Sequence, residues 1–279
     1  MVTPLAKIEE LATQLKTLSE TLEREEASAL SRNGAKKVRR TISEAYERLR
    51  KIMDDLDPIK HPGFVFDPSN PNVVGRMVGI TMIAQKRKAL ANVEKFYGSG
   101  VYAIYYNGGF PAYKAISRKE NPIYVGKADP ADPSSKTAME QGDRLCGRLS
   151  DHRRTIVKAS ETLQLEDFEY RALVVQSGWQ DSAETYLIDL FQPLWNNEVR
   201  ICYGFGKHGD APETRANLRS PWDTLHHGRP WAHSDPKMKD ARPAQKIVED
   251  IAQHLAKYPP LGSVDAILRR FLDEMRAVS

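Results

Sequence analysis

The stretches VYAIYY, residues 101–106, and IYV, residues 123–125, decide the fold. Both are runs of β-branched and aromatic residues, the side chains that suit a pleated and largely buried surface, and the connection between them carries Gly and Pro. They predict two strands of one small sheet. Gly100 directly before the first run and Gly126 directly after Tyr124 leave room for another backbone or a ligand to come close. A third strand is expected in DFEYRALVVQ, residues 167–176.

Helices are expected on either side of these strands. Leu145, Leu149 and Ile156 fall on one stripe of a helix over 142–158, and Ala183, Leu187 and Leu190 mark a short helix that ends before Pro193. A further helical pattern runs from about Met77 to Phe96. From Asn196 to about Pro236 the abundance of Gly, Pro, His and Trp predicts ordered loops. Two closing helices, 244–257 and 264–276, flank Tyr258-Pro259-Pro260, with Ser263 placed to cap the second. The expected class is α+β: a small three-stranded, mainly antiparallel sheet flanked by helices.

The N-terminal region has a different pattern. Ile8, Leu11, Leu15, Leu18 and Leu22 share one helical stripe, Asn33-Gly34 interrupts, and Val38, Ile42, Ala45, Leu49 and Ile52 restart the spacing. An antiparallel helical hairpin over 1–56 is the simplest reading, serving packing, dimerisation or, through Lys36, Lys37, Arg39 and Arg40, an arm on DNA. Residues 57–75, with four prolines and two glycines, read as a linker. The remaining divisions expected are a core over 76–236 and C-terminal helices over 237–279.

A chain of 279 residues can bury one substantial core with a smaller appended unit. Its net charge is only +4, but Lys127, Lys136, Arg144, Arg148, Arg153, Arg154 and Lys158 crowd one stretch, a local excess that suits phosphate. Cys146 and Cys202 are far apart and form no CxxC pair, which suggests neither a zinc site nor a disulfide framework and fits a reducing cytoplasm. No apolar run approaches the length of a membrane span.

Four sets of residues carry candidate chemistry. Arg148 and His152 lie four apart, hence on one helix face, either as a guanidinium fork and an imidazole that reach the same ligand or as a surface cation beside a helix-facing histidine. Glu184 shares a stripe with Leu187, Ile188 and Phe191; a carboxylate turned inward must be paired, protonated or metal-bound. Asn196 follows Pro193-Leu194-Trp195 as either a helix-exit residue or a polar group aimed into a cleft. Tyr102 and Tyr124 are either core tyrosines or hydroxyls at the rim of a site.

Gly100-Val101-Tyr102 followed by Tyr124-Val125-Gly126 resembles the two signatures of the GIY-YIG nucleases, with Val in place of Ile in both. The order that follows fits too: a helix with Arg148, a strand, a helix with Glu184, then Asn196 after a proline-containing turn. The likeness is greatest to the type II restriction endonucleases that cut the palindrome CCGCGG, and it extends through PIYVGKA (122–128), RLSDHRRTI (148–156), PLWNNEV (193–199), YGFGKHG (203–209) and WDTLHHGRPWA (222–232). His152 stands where many other members carry tyrosine.

The resemblance implies a Mg²⁺-dependent double-stranded DNA endonuclease with Glu184 on the metal, Arg148 on phosphate, Asn196 as a supporting amide and Tyr102, its phenol at least partly ionised, as the base; His152, an imidazole that titrates near neutrality, is the alternative base. Lys127 is a candidate to lower the Tyr102 pKa by its charge, with Tyr124 and His152 orienting water or phosphate. Base reading is expected from the loop 129–143 and later loops, with Lys136, Arg144, Arg215 and Arg219 as candidates. A palindromic target implies a homodimer or higher homo-oligomer, and a host methyltransferase of matching specificity. The competing readings are a GIY-YIG repair or mobile-element nuclease, an inactive DNA-binding relative, and a helical scaffold built on the N-terminal hairpin.

Overall fold

The computed structural model describes residues 4–25, 32–57, 59, 65–206, 218–233 and 237–276. The chain divides into two compact units, Met1–Val65 and Phe66–Ser279.

The first unit contains two long helices, α1 (Pro4–Glu25) and α2 (Arg32–Leu56). The expected interruption at Asn33-Gly34 is absent: α2 begins at Arg32 and runs through both residues. Among the described side chains of the two stripes, Ile8, Leu11, Leu15, Ile42, Leu49 and Ile52 are exposed, and the side chains of Leu18 and Leu22 lie outside those described.

The second unit is built on a sheet of order β1-β4-β2-β3, every neighbouring pair antiparallel. Its long strands are β2 (Gly100–Tyr106), β3 (Tyr124–Ala128) and β4 (Phe168–Val174). A two-residue edge strand, β1 (Lys88–Ala89), makes it four-stranded rather than three. Central β2 is buried on both faces, and its side chains alternate between two cores. Tyr102, Ile104 and Tyr106 enter one core with Leu145, Leu149 and Ile156 of α4 (Arg144–Lys158). Val101, Ala103 and Tyr105 enter the other, with α3 (Pro71–Ile83) and α5 (Gln180–Phe191).

Helix α3 begins inside the stretch expected to be linker, because Asn70 accepts a hydrogen bond from Asn72 N–H and Pro71 occupies the first turn. It also ends earlier than expected, at Ile83 rather than near Phe96. The reason is tertiary. Arg87 lies 3.9 Å over the Tyr105 ring and pairs with Glu120 and Glu169, drawing the next residues out as β1 against β4.

The later segment is more regular than expected. Ser220 caps α6 (Pro221–Leu225), α7 spans Pro230–His233, and β5 (Leu218–Arg219) pairs in parallel with β6 (Lys239–Asp240). Helices α8 (Ala244–Lys257) and α9 (Val264–Arg276) lie where the sequence puts them, and the Ser263 hydroxyl accepts from Ala266 N–H. Ile247 and Ile251 of α8 join the Tyr102 core, and Ile267 of α9 joins the opposite one. Among the described residues no helix is long and apolar enough to cross a membrane.

Candidate active site

Tyr102 and Gly126 are register partners on β2 and β3, and they fix the site. A Cβ on Gly126 would lie 2.5 Å from the Tyr102 hydroxyl oxygen and 3.0 Å from Tyr124 Cε1, so the bare backbone makes room for both phenols. The Tyr102 hydroxyl hydrogen-bonds His152 Nε2 at 2.6 Å, and the Tyr102 and Tyr124 rings are 6.2 Å apart. His152 is fully buried on α4, stacked on Phe205 with ring centroids 4.6 Å apart and meeting Tyr124 edge-on.

Alongside lies a cavity of about 570 Å³ whose wall includes Tyr124, Lys127, Arg144, Arg148, Asp151 and Glu184. Strand β3, helix α4 and helix α5 each supply part of it. The structure therefore gathers Tyr102, Tyr124, Lys127, Arg148, His152 and Glu184 into one locality, although they are spread over more than eighty positions of sequence.

The electrostatics differ from the expectation at Tyr102. Burial pushes its phenol well above the ordinary range; Tyr124 adds to the rise, and Arg148 opposes it only in part. Burial likewise pushes Tyr124 up to about 12 against the pull of Arg148. Both shifts favour the neutral phenol, against the partial ionisation that the base role asks of Tyr102. Lys127 does not correct this. Strand alternation turns it to the opposite face from Tyr102 and Gly126, where it pairs with Asp181 of α5 and, at 3.2 Å, with Asp129. Burial acts against the Lys127 charge, but these two carboxylates outweigh it and the net shift is upward.

Glu184 is half-buried, and its carboxyl is raised to about 7, first by burial, with Lys127 opposing and Glu198, Asp181 and Asp129 adding. A desolvated oxygen donor in a field of other carboxylates fits a hard divalent cation, which relieves the repulsion that protonation otherwise relieves. Among the described residues, no group of three or more His, Cys, Asp or Glu side chains is placed to hold a metal. A single carboxylate completed by water and phosphate oxygens is the arrangement Mg²⁺ tolerates.

Asn196 sits behind the site rather than in it. Its side-chain oxygen accepts from Val125 N–H and its amide nitrogen donates to Val125 C=O, both at 2.9 Å, while Trp195 N–H donates to Ile123 C=O. The chain after α5 thereby lies along the outer edge of β3 and fixes Tyr124 between these two anchored residues.

Several contributors escaped the sequence reading. Asp181 precedes Glu184 by one helical turn, a spacing that shares a face and was available as a signal. Phe205 lies in YGFGKHG, which resembled the family without disclosing a role. Its backbone is held by Arg229, which donates to the carbonyls of Gly204 (2.9 Å) and Phe205 (3.2 Å) and pairs at 2.7 Å with fully buried Asp223. Beneath it, His226 hydrogen-bonds Tyr113 and Thr162; burial, with Arg229 and His227 adding, pushes it down to about 3.

The expected base-reading residues are scattered. Arg144 lies on the cavity wall, its Nε donating to Asp129 C=O, and Lys136 is exposed on the loop before α4. Arg219 is engaged within the fold by Ala232 C=O and Asp240. Arg215 lies outside the described residues.

A search of curated proteins returned no significant match. The family model described as the Eco29kI GIY-YIG domain matches residues 94–255, more than half of the chain and the segment holding every site residue above. The chain belongs to this GIY-YIG family of restriction endonucleases, and is a DNA endonuclease of the restriction type.

Proposed function

We propose that this protein is a Mg²⁺-dependent type II restriction endonuclease that cuts double-stranded DNA at a short GC-rich palindrome, CCGCGG, as a homodimer. The observation that carries the chemistry is the 2.6 Å bond between Tyr102 and His152 beside a cavity walled by Tyr124, Arg148 and Glu184.

Hydrolysis of a phosphodiester needs a deprotonated water in line with the leaving 3′ oxygen and positive charge on the phosphoryl oxygens. A phenol held well above its usual pKa is a poor base by itself, and an imidazole at 2.6 Å supplies the remedy. As Tyr102 takes a proton from water, its own proton passes to His152 Nε2, so no free phenolate has to accumulate. The choice between Tyr102 and His152 becomes a division of labour: Tyr102 touches the water and His152 stores the proton. Tyr124 orients the attacking water, and the Arg148 fork clamps a nonbridging phosphate oxygen.

Glu184 would hold the Mg²⁺, with further oxygens from water and phosphate. When bound, the ion supplies Lewis-acid stabilisation of the phosphoryl charge and the leaving oxygen. Lys127, neutralised by Asp181 and Asp129, fixes the α5 side of the cavity relative to β3. Asn196 keeps Tyr124 in place through Val125.

The palindrome reading rests on the sequence likeness to CCGCGG cutters, and a two-fold target calls for two copies of the site. Arg144, on the cavity wall, and Lys136 are base-reading candidates, with Arg215 and Arg219 from the later segment. A host that makes such an enzyme needs a methyltransferase of the same specificity, without contact between the two. Digestion of a sequenced plasmid with and without Mg²⁺, with the ends mapped, is the test. Discrete fragments ending within CCGCGG are expected. Random nicking refutes the palindrome, and cleavage unchanged by a chelator refutes the metal.

A further inference from the structure

The N-terminal unit carries a coiled-coil repeat that its own described residues leave uncovered. Along α2, Val38, Ile42, Ala45, Leu49, Ile52 and Leu56 follow at steps of four, three, four, three and four. That 3.5-residue period keeps a narrow seam facing a partner helix turn after turn, whereas a stripe serving a globular core follows the 3.6 period of a straight helix. Ile42, Leu49, Ile52 and Leu56 are 51%, 38%, 51% and 62% exposed, and Tyr46 and Met53, one position along the seam, are 62% and 71% exposed. On α1, Ile8, Leu11 and Leu15 begin a similar repeat and are likewise open.

We propose that these seams are the dimerisation module of the protein: the α1 and α2 helices of two copies pack together as a four-helix bundle. Three observations favour a second copy of this chain as the occupant. The exposed apolar side chains of the two seams amount to on the order of 1,000 Å² per chain, against roughly 800 Å² per partner in a stable interface. Helix α1 is net acidic and α2 net basic, so α1 of one copy complements α2 of the other. A seam widened by Tyr46 and Met53 suits a bundle with more than one neighbour per helix. The biological need for the pair rests on the palindrome reading; the seam itself does not.

Sedimentation of the full-length protein at micromolar concentration without DNA tests this, beside two variants. Ile42→Glu/Leu49→Glu places four charges in the bundle of two copies. Leu49→Ala/Ile52→Ala shortens the seam with the best helix former, so the helices persist. Wild type is expected at twice the chain mass, the Glu variant at the monomer mass, and the Ala variant with at least a tenfold weaker dimer. The melting of the nuclease unit should be unchanged in both, because these side chains are exposed on the other unit. A wild type that stays monomeric at tens of micromolar, by closing α1 on its own α2 or by keeping the seam for DNA, overturns the proposal. So does a Glu variant that remains dimeric. Because no DNA is present, a dimer that nicks at random would refute the palindrome and leave the module standing.

Discussion

Gly126→Ala perturbs the site with a single methyl. The added Cβ would stand 2.5 Å from the Tyr102 hydroxyl oxygen and 2.7 Å from Cζ, whereas carbon contacts settle at roughly 3.5–4.0 Å. The phenol must retreat by about 1 Å. It has nowhere empty to go, since Tyr102 is fully buried and the Tyr124 ring and His152 lie beside it. Overpacking of this kind costs about 1–3 kcal/mol, or roughly 2–4 °C of melting temperature per kcal/mol in a domain of this size. Activity should suffer more than stability. A displacement of about 1 Å breaks the geometry of the 2.6 Å hydrogen bond to His152, whether by lengthening, compressing or tilting it, and misplacement on that scale costs about 100-fold in rate. The measurement is single-turnover cleavage of a short cognate duplex well below the melting temperature, beside a thermal melt. Cleavage within threefold of wild type would show that the Tyr102–His152 contact does not govern the chemistry.

Three further outcomes are expected. Tyr102→Phe and His152→Ala should each slow single-turnover cleavage by about 10²–10⁴, and the double substitution should cost little more, because a proton relay fails as a unit; additive losses would separate the two roles. Glu184→Gln should abolish cleavage yet raise stability at alkaline pH. The wild-type carboxyl is raised from 4.5 to about 7, so the folded state holds its proton more tightly than the unfolded chain and loses stability as pH climbs through that window. Urea melts at pH 5 and pH 8 should show that fall in wild type and a smaller one in the variant. Arg229→Ala should cost about 3–5 kcal/mol in the same melts by stranding buried Asp223, and Arg229→Lys should rescue little, since an ammonium cannot replace a fork that binds a carboxylate and two carbonyls.

The sequence disclosed the parts of this molecule whose reasons are local. Strands β2, β3 and β4 follow from β-branched and aromatic runs, α4 and α5 from their apolar stripes, and α9 from Ser263 and the prolines before it. Helix α3 was misjudged at both ends because its start rests on one asparagine cap and its end on Arg87 reaching Tyr105, a contact set by the folded sheet. The site was legible as a set of residue types in order. Its electrostatics were not, because whether a tyrosine is ionised depends on burial that no spacing reveals: Arg148 does lie beside Tyr102, but desolvation outweighs it. The orientation of Lys127 is hidden from the sequence for a simpler reason. Alternation along β3 sends it to the face away from Tyr102, and the registers of β2 and β3 are needed to see that.

Asn196 has a consequence beyond supporting Tyr124. As the outermost strand of its sheet, β3 would offer unpaired backbone donors and acceptors to any passing strand, the usual route to self-association through sheet edges. One carboxamide meets both backbone groups of Val125 as a neighbouring strand would, and Trp195 satisfies Ile123 beside it. The sheet is thereby terminated by a side chain. Strand addition against Ile123 and Val125 is blocked, and a second copy in the proposed homodimer would have to dock through a different surface.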